Sequence, residues 1–122
     1  MDINKDNELI QYYVINNSIG MSYGKITAQI AHASMMAALQ YQHEPIFIQW
    51  KDICMKKIML QANTQKLLSL QNCGFITIQD AGFNEIEPNS LTVVILPIKT
   101  RFEVQMYVKG LQLFHYSKED DV

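Results

Sequence analysis

What this chain has little of narrows it first. It carries only two cysteines in 122 residues, Cys54 and Cys73. Two such thiols make no disulfide framework and no paired Cys motif, and they read as reduced cysteines of a cytoplasmic protein. His32, His43 and His115 share no metal-ligand spacing, so neither a metal nor any other cofactor is expected. No apolar run approaches the roughly 20 residues of a membrane span, and no membrane partner is expected. The polar, acidic stretch of residues 1–8 does not read as a signal peptide. Internal repeats, low-complexity segments, a P-loop, a nucleophile elbow and a dinucleotide fingerprint are all missing.

A charge excess of one sign is missing too, since the formal net charge is −2. Its placement is uneven, however. Acidic residues crowd the ends, with Asp2, Asp6 and Glu8 at one and Glu119, Asp120 and Asp121 at the other. Residues 9–118 hold nine bases against six acids. A mildly basic body with acidic tails is compatible with a polyanionic partner without demanding one. Hydrophobic residues at 48% and charged residues at 18% make a globular composition. The length predicts one domain over residues 1–122, with about 1–8 and 116–122 as flexible acidic tails.

Residues 19–33 organise the rest. The β-branched and aromatic run at 10–16 predicts a buried strand. A glycine-punctuated turn follows, and Ser22 is placed to cap a helix that starts near Tyr23 and runs to about Gln40. Lys25, Gln29 and His32 fall at i, i+4 and i+7, which predicts a polar stripe beside the apolar one. Pro45 opens a short helical turn over 46–51. Residues 56–61 read as a second strand. Asn63 or Thr64 caps a second helix over 65–72, with Leu67, Leu68 and Leu70 inward and Gly74 ending it. Residues 75–79 and 91–96 read as third and fourth strands, and 101–109 as a third helix. Residues 111–114 dock back. Strands alternating with helices predict an α/β fold, a four-stranded sheet covered on both faces.

The chemistry-bearing candidates are individually weak. Lys25, at a helix start, opposes the helix dipole, so an anion or the Asp80 carboxylate is expected to hold it. Asp80 ends an apolar strand, where α/β proteins place ligands, although a turn aspartate would look the same. His32, among alanines, reads most simply as a hydrogen-bonded core residue. Thr92 is the one polar residue of its strand.

Together these residues resemble a known family. The segment Gly24-Lys25-Ile26-Thr27-Ala28-Gln29-Ile30-Ala31-His32-Ala33, then Gln79-Asp80-Ala81-Gly82, then Pro88-x-Ser90-x-Thr92-Val93, is similar in order and spacing to the archaeal and eukaryotic type of peptidyl-tRNA hydrolase. The resemblance covers about residues 10–114. It implies a mixed four-stranded sheet with helices on both faces. It also implies metal-free hydrolysis of the ester between a peptide and the 3′ ribose of tRNA. Carried over residue by residue, Lys25, Asp80 and Thr92 are the expected catalytic residues. Asp80 would activate water, Lys25 would hold Asp80 ionised and stabilise the oxyanion, and Thr92 would hydrogen-bond the water or the peptide carbonyl. His32, Gln29 and Asn84 are expected behind them. Lys51, Lys56, Lys57, Lys99 and Arg101 are candidates for tRNA phosphates. The chain departs from the pattern at Tyr23 and Phe83, where the family usually has cations, at Asn84, where it has a threonine, and at Ile95-Leu96-Pro97-Ile98, which replaces a glycine-rich strand end. Those departures leave two other readings open: an inactive relative that binds RNA or protein, and a hydrolase for a smaller ester or amide. A homodimer is a further possibility the family suggests.

Overall fold

The computed structural model describes residues 7–80 and 89–116. Strand β1 (Leu9–Asn16) is the central strand, buried along almost its whole length. Helix α1 (Tyr23–Tyr41) follows, with Ser22 Oγ accepting from the Lys25 backbone N–H at 3.2 Å as its N-cap. Helix α2 (Pro45–Ile53) leads to strand β2 (Lys57–Ala62). Helix α3 (Thr64–Asn72) is capped by the Asn63 side chain. Past α3, Gly74 takes φ +90°, the left-handed turn that glycine adopts without a Cβ clash. Strands β3 (Ile76–Gln79), β4 (Leu91–Ile95) and β5 (Lys99–Thr100), helix α4 (Arg101–Val108) and strand β6 (Gln112–Leu113) complete the chain.

The sheet order is β3-β4-β1-β2-β6, with β5 pairing β1. β1 and β2 are parallel, in the register Asn16 to Ala62. β4 is antiparallel to both β1 and β3. The carboxyl ends of β1, β2 and β3 therefore share one edge of the sheet.

Side chains alternate across β1 and divide the core in two. Ile10, Tyr12 and Val14 face Leu67 and Leu70 of α3 and Val104 and Val108 of α4. Tyr13 and Ile15 face Ile26, Ala33 and Ala37 of α1. The small alanines let α1 lie close on the sheet. A third cluster of Phe47, Trp50 and Ile98 fills the space under α2 at the far edge. Helices on both faces of a mixed sheet agree with the expected α/β class.

Four expectations are corrected. Among the described residues the sheet has six strands where four were expected, because β5 and β6 are two-residue pairings whose sequences carry no strand pattern. The turn at Pro45 is a helix of nine residues. Leu68 is exposed, since only the α3 positions three apart, Leu67 and Leu70, reach the core. Of the N-terminal stretch expected to fray, Glu8 is tied down. Its carboxylate accepts from Lys56 Nζ at 2.8 Å and Arg101 Nη2 at 3.3 Å. The lysine bond holds the Glu8 carboxyl below its ordinary range, with Arg101 adding to it.

Candidate active site

At the shared edge, Asp80 directly follows β3 and is buried, 7% exposed. Its backbone N–H donates to Ser90 O at 3.0 Å, which holds the residue against the start of β4. The Lys25 ammonium, at the third position of α1, forms an ion pair with Asp80 Oδ1, and the lysine side chain is 13% exposed. Gln29 lies one turn further along α1. Its Nε2 donates to the same oxygen at 3.4 Å, and its Oε1 accepts from Thr92 Oγ1 at 2.8 Å. Asp80 thus gathers two donors from one helix on one carboxylate oxygen, an arrangement that suits the ionised acid. In so dry a setting the lysine field is weakly screened.

Thr92 reaches this cluster through an irregularity in the sheet. The β3–β4 register pairs Ile78 with Val93 but Gln79 with Leu91, so Thr92 is the extra residue of a bulge. Strict alternation would turn Thr92 to the α3/α4 side. The bulge turns it to α1 and leaves Leu91 facing α3 and α4. Thr92 is fully buried, and Ile78 O lies 3.1 Å from its hydroxyl as a second acceptor. It was expected to meet water or the peptide carbonyl; here its buried hydroxyl touches Gln29 and Ile78 O.

Lys25, Gln29, Asp80 and Thr92 therefore meet as one linked set, Thr92 to Gln29 to Asp80, with Lys25 on the same carboxylate. His32 does not join them. It is exposed rather than in the core. The helical rotation explains this: Gln29 lies on the flank of the buried face of α1, Lys25 about 40° further out and His32 about 20° beyond that. Asn84 and Phe83 lie outside the described residues.

The five nominated phosphate cations collect at the opposite edge. Lys57 and Lys99 pair in register with Gln11 and Ile10 near the start of β1. Lys56 and Arg101 are engaged by Glu8, and Lys51 by Asp52 at 3.0 Å. Lys57 Nζ sits 5.1 Å over the Trp50 ring. The length of β1 separates them from Asp80 by roughly 23 Å. A cation that the sequence reading missed, Lys66, lies at the site's own edge in the first turn of α3. Its signal was available: a cap and helix that directly follow a strand parallel to β1 start at the edge where β1 ends.

A model of the peptidyl-tRNA hydrolase PTH2 family matches residues 9–114. This chain belongs to that family. Among its relatives, a protein of Methanococcus vannielii named peptidyl-tRNA hydrolase is 32% identical over 112 residues, covering 84% of this chain and 97% of the relative. One of Halobacterium salinarum with the same name is 29% identical over 111 residues, 85% and 98% of the two chains. One of Staphylothermus marinus, again of that name, is 28% identical over 99 residues, 74% and 82%. The linked set lies wholly within the matched span. Among the described residues no helix is long and apolar enough to cross a membrane.

Proposed function

We propose that this peptidyl-tRNA hydrolase releases the peptide from tRNA with Asp80 as the base that activates water. The observation that carries this reading is the buried carboxylate held by Lys25 and Gln29 at the carboxyl edge of the sheet. The Asp80 carboxylate takes a proton from water as the water oxygen attacks the ester carbonyl. The ammonium of Lys25 has N–H donors beyond the one on Asp80 and offers them to the oxyanion that forms on that carbonyl. Collapse of the tetrahedral intermediate expels the 3′ oxygen of the ribose, which takes up the proton that Asp80 carries. Gln29 and Thr92 set the angle of the carboxylate and touch neither substrate nor water. His32, on the exposed side of α1, borders the route along which substrate arrives. Asn84, outside the described residues, keeps its expected place behind the catalytic residues.

The tRNA is the polyanion for which the basic body is suited. Cations roughly 23 Å from the ester meet phosphates several nucleotides up the strand rather than the terminal one. We extend the proposal to a single domain acting in the cytoplasm, with the exposed, unpaired thiols of Cys54 and Cys73 in keeping with a reducing compartment. It also extends to a homodimer, for which exposed Met35 and Leu39 on α1 offer apolar surface. Sedimentation that shows only a 14.1 kDa species would overturn the dimer. The family and its named relatives do not favour an inactive binding module.

The test is release of an N-blocked amino acid from its tRNA. Asp80→Asn and Lys25→Ala, each checked for folding by circular dichroism, are each expected to lower turnover by at least about 100-fold. Wild-type turnover in both folded variants would overturn the assignment.

A further inference from the structure

On the other flank of the first turn of α1, away from Lys25 and Asp80, lies a cavity of about 190 Å³. It opens where β1 and β2 end, between the loop after β1 and the segment after β6. Asn17, Met21, Ile26, Gln61, Phe114 and His115 line it. Ile26 is the residue next to Lys25, about 100° round the helix, so cavity and carboxylate lie on either side of one helical turn.

We propose that this cavity holds the 3′-terminal nucleobase of the tRNA. The inference rests on the peptidyl-tRNA reading above. Its wall is built by the returning end of the chain: Phe114 N–H donates to Met59 O at 2.8 Å, and His115 N–H to Gln61 Oε1 at 3.3 Å. Met21 and Ile26 supply an apolar floor, and the Phe114 and His115 rings supply flat surfaces of the kind on which bases stack. Around them stand polar groups with capacity to spare. The side chains of Asn17 and His115 are exposed, and among the described residues neither makes a side-chain hydrogen bond. The Gln61 amide is held loosely, its Nε2 3.4 Å from Gln112 Oε1. Amide and imidazole groups of this sort match the donor–acceptor edge of adenine.

Two arguments place the base here and not the amino acid. The ester oxygen belongs to the terminal ribose, so a carbonyl at Asp80 leaves its base within a nucleoside's span, across the helix turn. Every peptidyl-tRNA carries the same terminal adenine, whereas the esterified amino acid varies. A pocket with fixed polar groups suits the invariant part, because it would reject most side chains.

The probe is adenosine 5′-monophosphate, titrated into the full-length chain and followed by amide chemical shifts. Saturable shifts are expected at Asn17, Gln61 and His115. The Asn17→Ala/His115→Ala variant is expected to weaken this binding about 10-fold and to raise KM for N-blocked aminoacyl-tRNA by a similar factor. That KM penalty shrinks when the terminal adenine of the substrate is replaced by cytosine. Absence of saturable shifts at those residues would overturn the assignment. So would a variant that changes preference among esterified amino acids while binding the nucleotide as wild type does, since the cavity would then belong to the peptide side. A wild-type chain that releases no amino acid would overturn the hydrolase reading, whereas the shift titration judges the nucleobase pocket by itself.

Discussion

Asp80, Gln29 and Thr92 form a chain of contacts, and Thr92, its member furthest from the carboxylate, is the most informative to change. Thr92→Val keeps the shape of the side chain and removes the hydroxyl. Gln29 Oε1 then loses its donor inside the protein, a loss worth about 1–3 kcal/mol of stability. The amide is free to turn, and its hold on the Asp80 carboxylate loosens. We expect kcat to fall about 10-fold with little change in KM, and Thr92→Ser to restore most of it. Steady-state kinetics on N-blocked aminoacyl-tRNA reads this. A Thr92→Val enzyme with wild-type kcat would show that Gln29 is held by other means. Lys25, Gln29, Asp80 and Thr92 were legible as candidates through the resemblance of their segments to the family, since helical spacing and strand-end position left each of them weak by itself. That Thr92 meets Gln29 was not legible, because it depends on which side of the sheet the threonine faces.

At the scale of elements, Glu8 joins three pieces: the start of β1, the residue before β2 and the first residue of α4. Its carboxyl is held below the ordinary glutamate range by Lys56 first and Arg101 as well. A carboxyl with a lowered folded-state pKa contributes stability above its unfolded value, and loses that contribution as pH falls through the folded one. Glu8→Gln is therefore expected to lower the thermal midpoint at neutral pH, and the gap from wild type should close as both are acidified past that range. The contacts are partly exposed, so the effect is small, within about 1 kcal/mol. Equal midpoints at neutral pH would mean that the tether adds nothing. The sequence placed Glu8 in a fraying tail because the two cations that hold it are distant in the chain. Lys56 and Arg101 are 48 and 93 residues away. The short strands β5 and β6 escaped for a related reason. Two residues carry no periodicity, and only the neighbouring strand makes them a pair.

For the whole molecule, charge is sorted by edge. The Lys25–Asp80 ion pair lies at one edge, and Lys51, Lys56, Lys57, Lys99 and Arg101 lie at the other. If the far cations meet tRNA phosphates, Lys57→Gln and Lys99→Gln should each raise KM and reduce the slope of log KM against log salt by about one, whatever the tRNA sequence. An unchanged slope would mean that the tRNA leaves the protein before reaching that edge, and Lys66 would become the cation to test. By itself, the sequence determined the main elements and the motif residues: the longer strand runs, helix starts at Ser22 and at Asn63 or Thr64, the stop at Gly74, a lysine at a helix start and an aspartate at a strand end. These are local, written in propensity, capping and the two periodicities of 3.6 and 2. Only the tertiary structure decided which edge each cation occupies, that a one-residue bulge turns Thr92 towards α1, and that the returning chain after β6 walls a cavity beside the site. Each of those depends on strand order and register, and a one-residue shift in register changes the face a side chain meets without changing any local pattern.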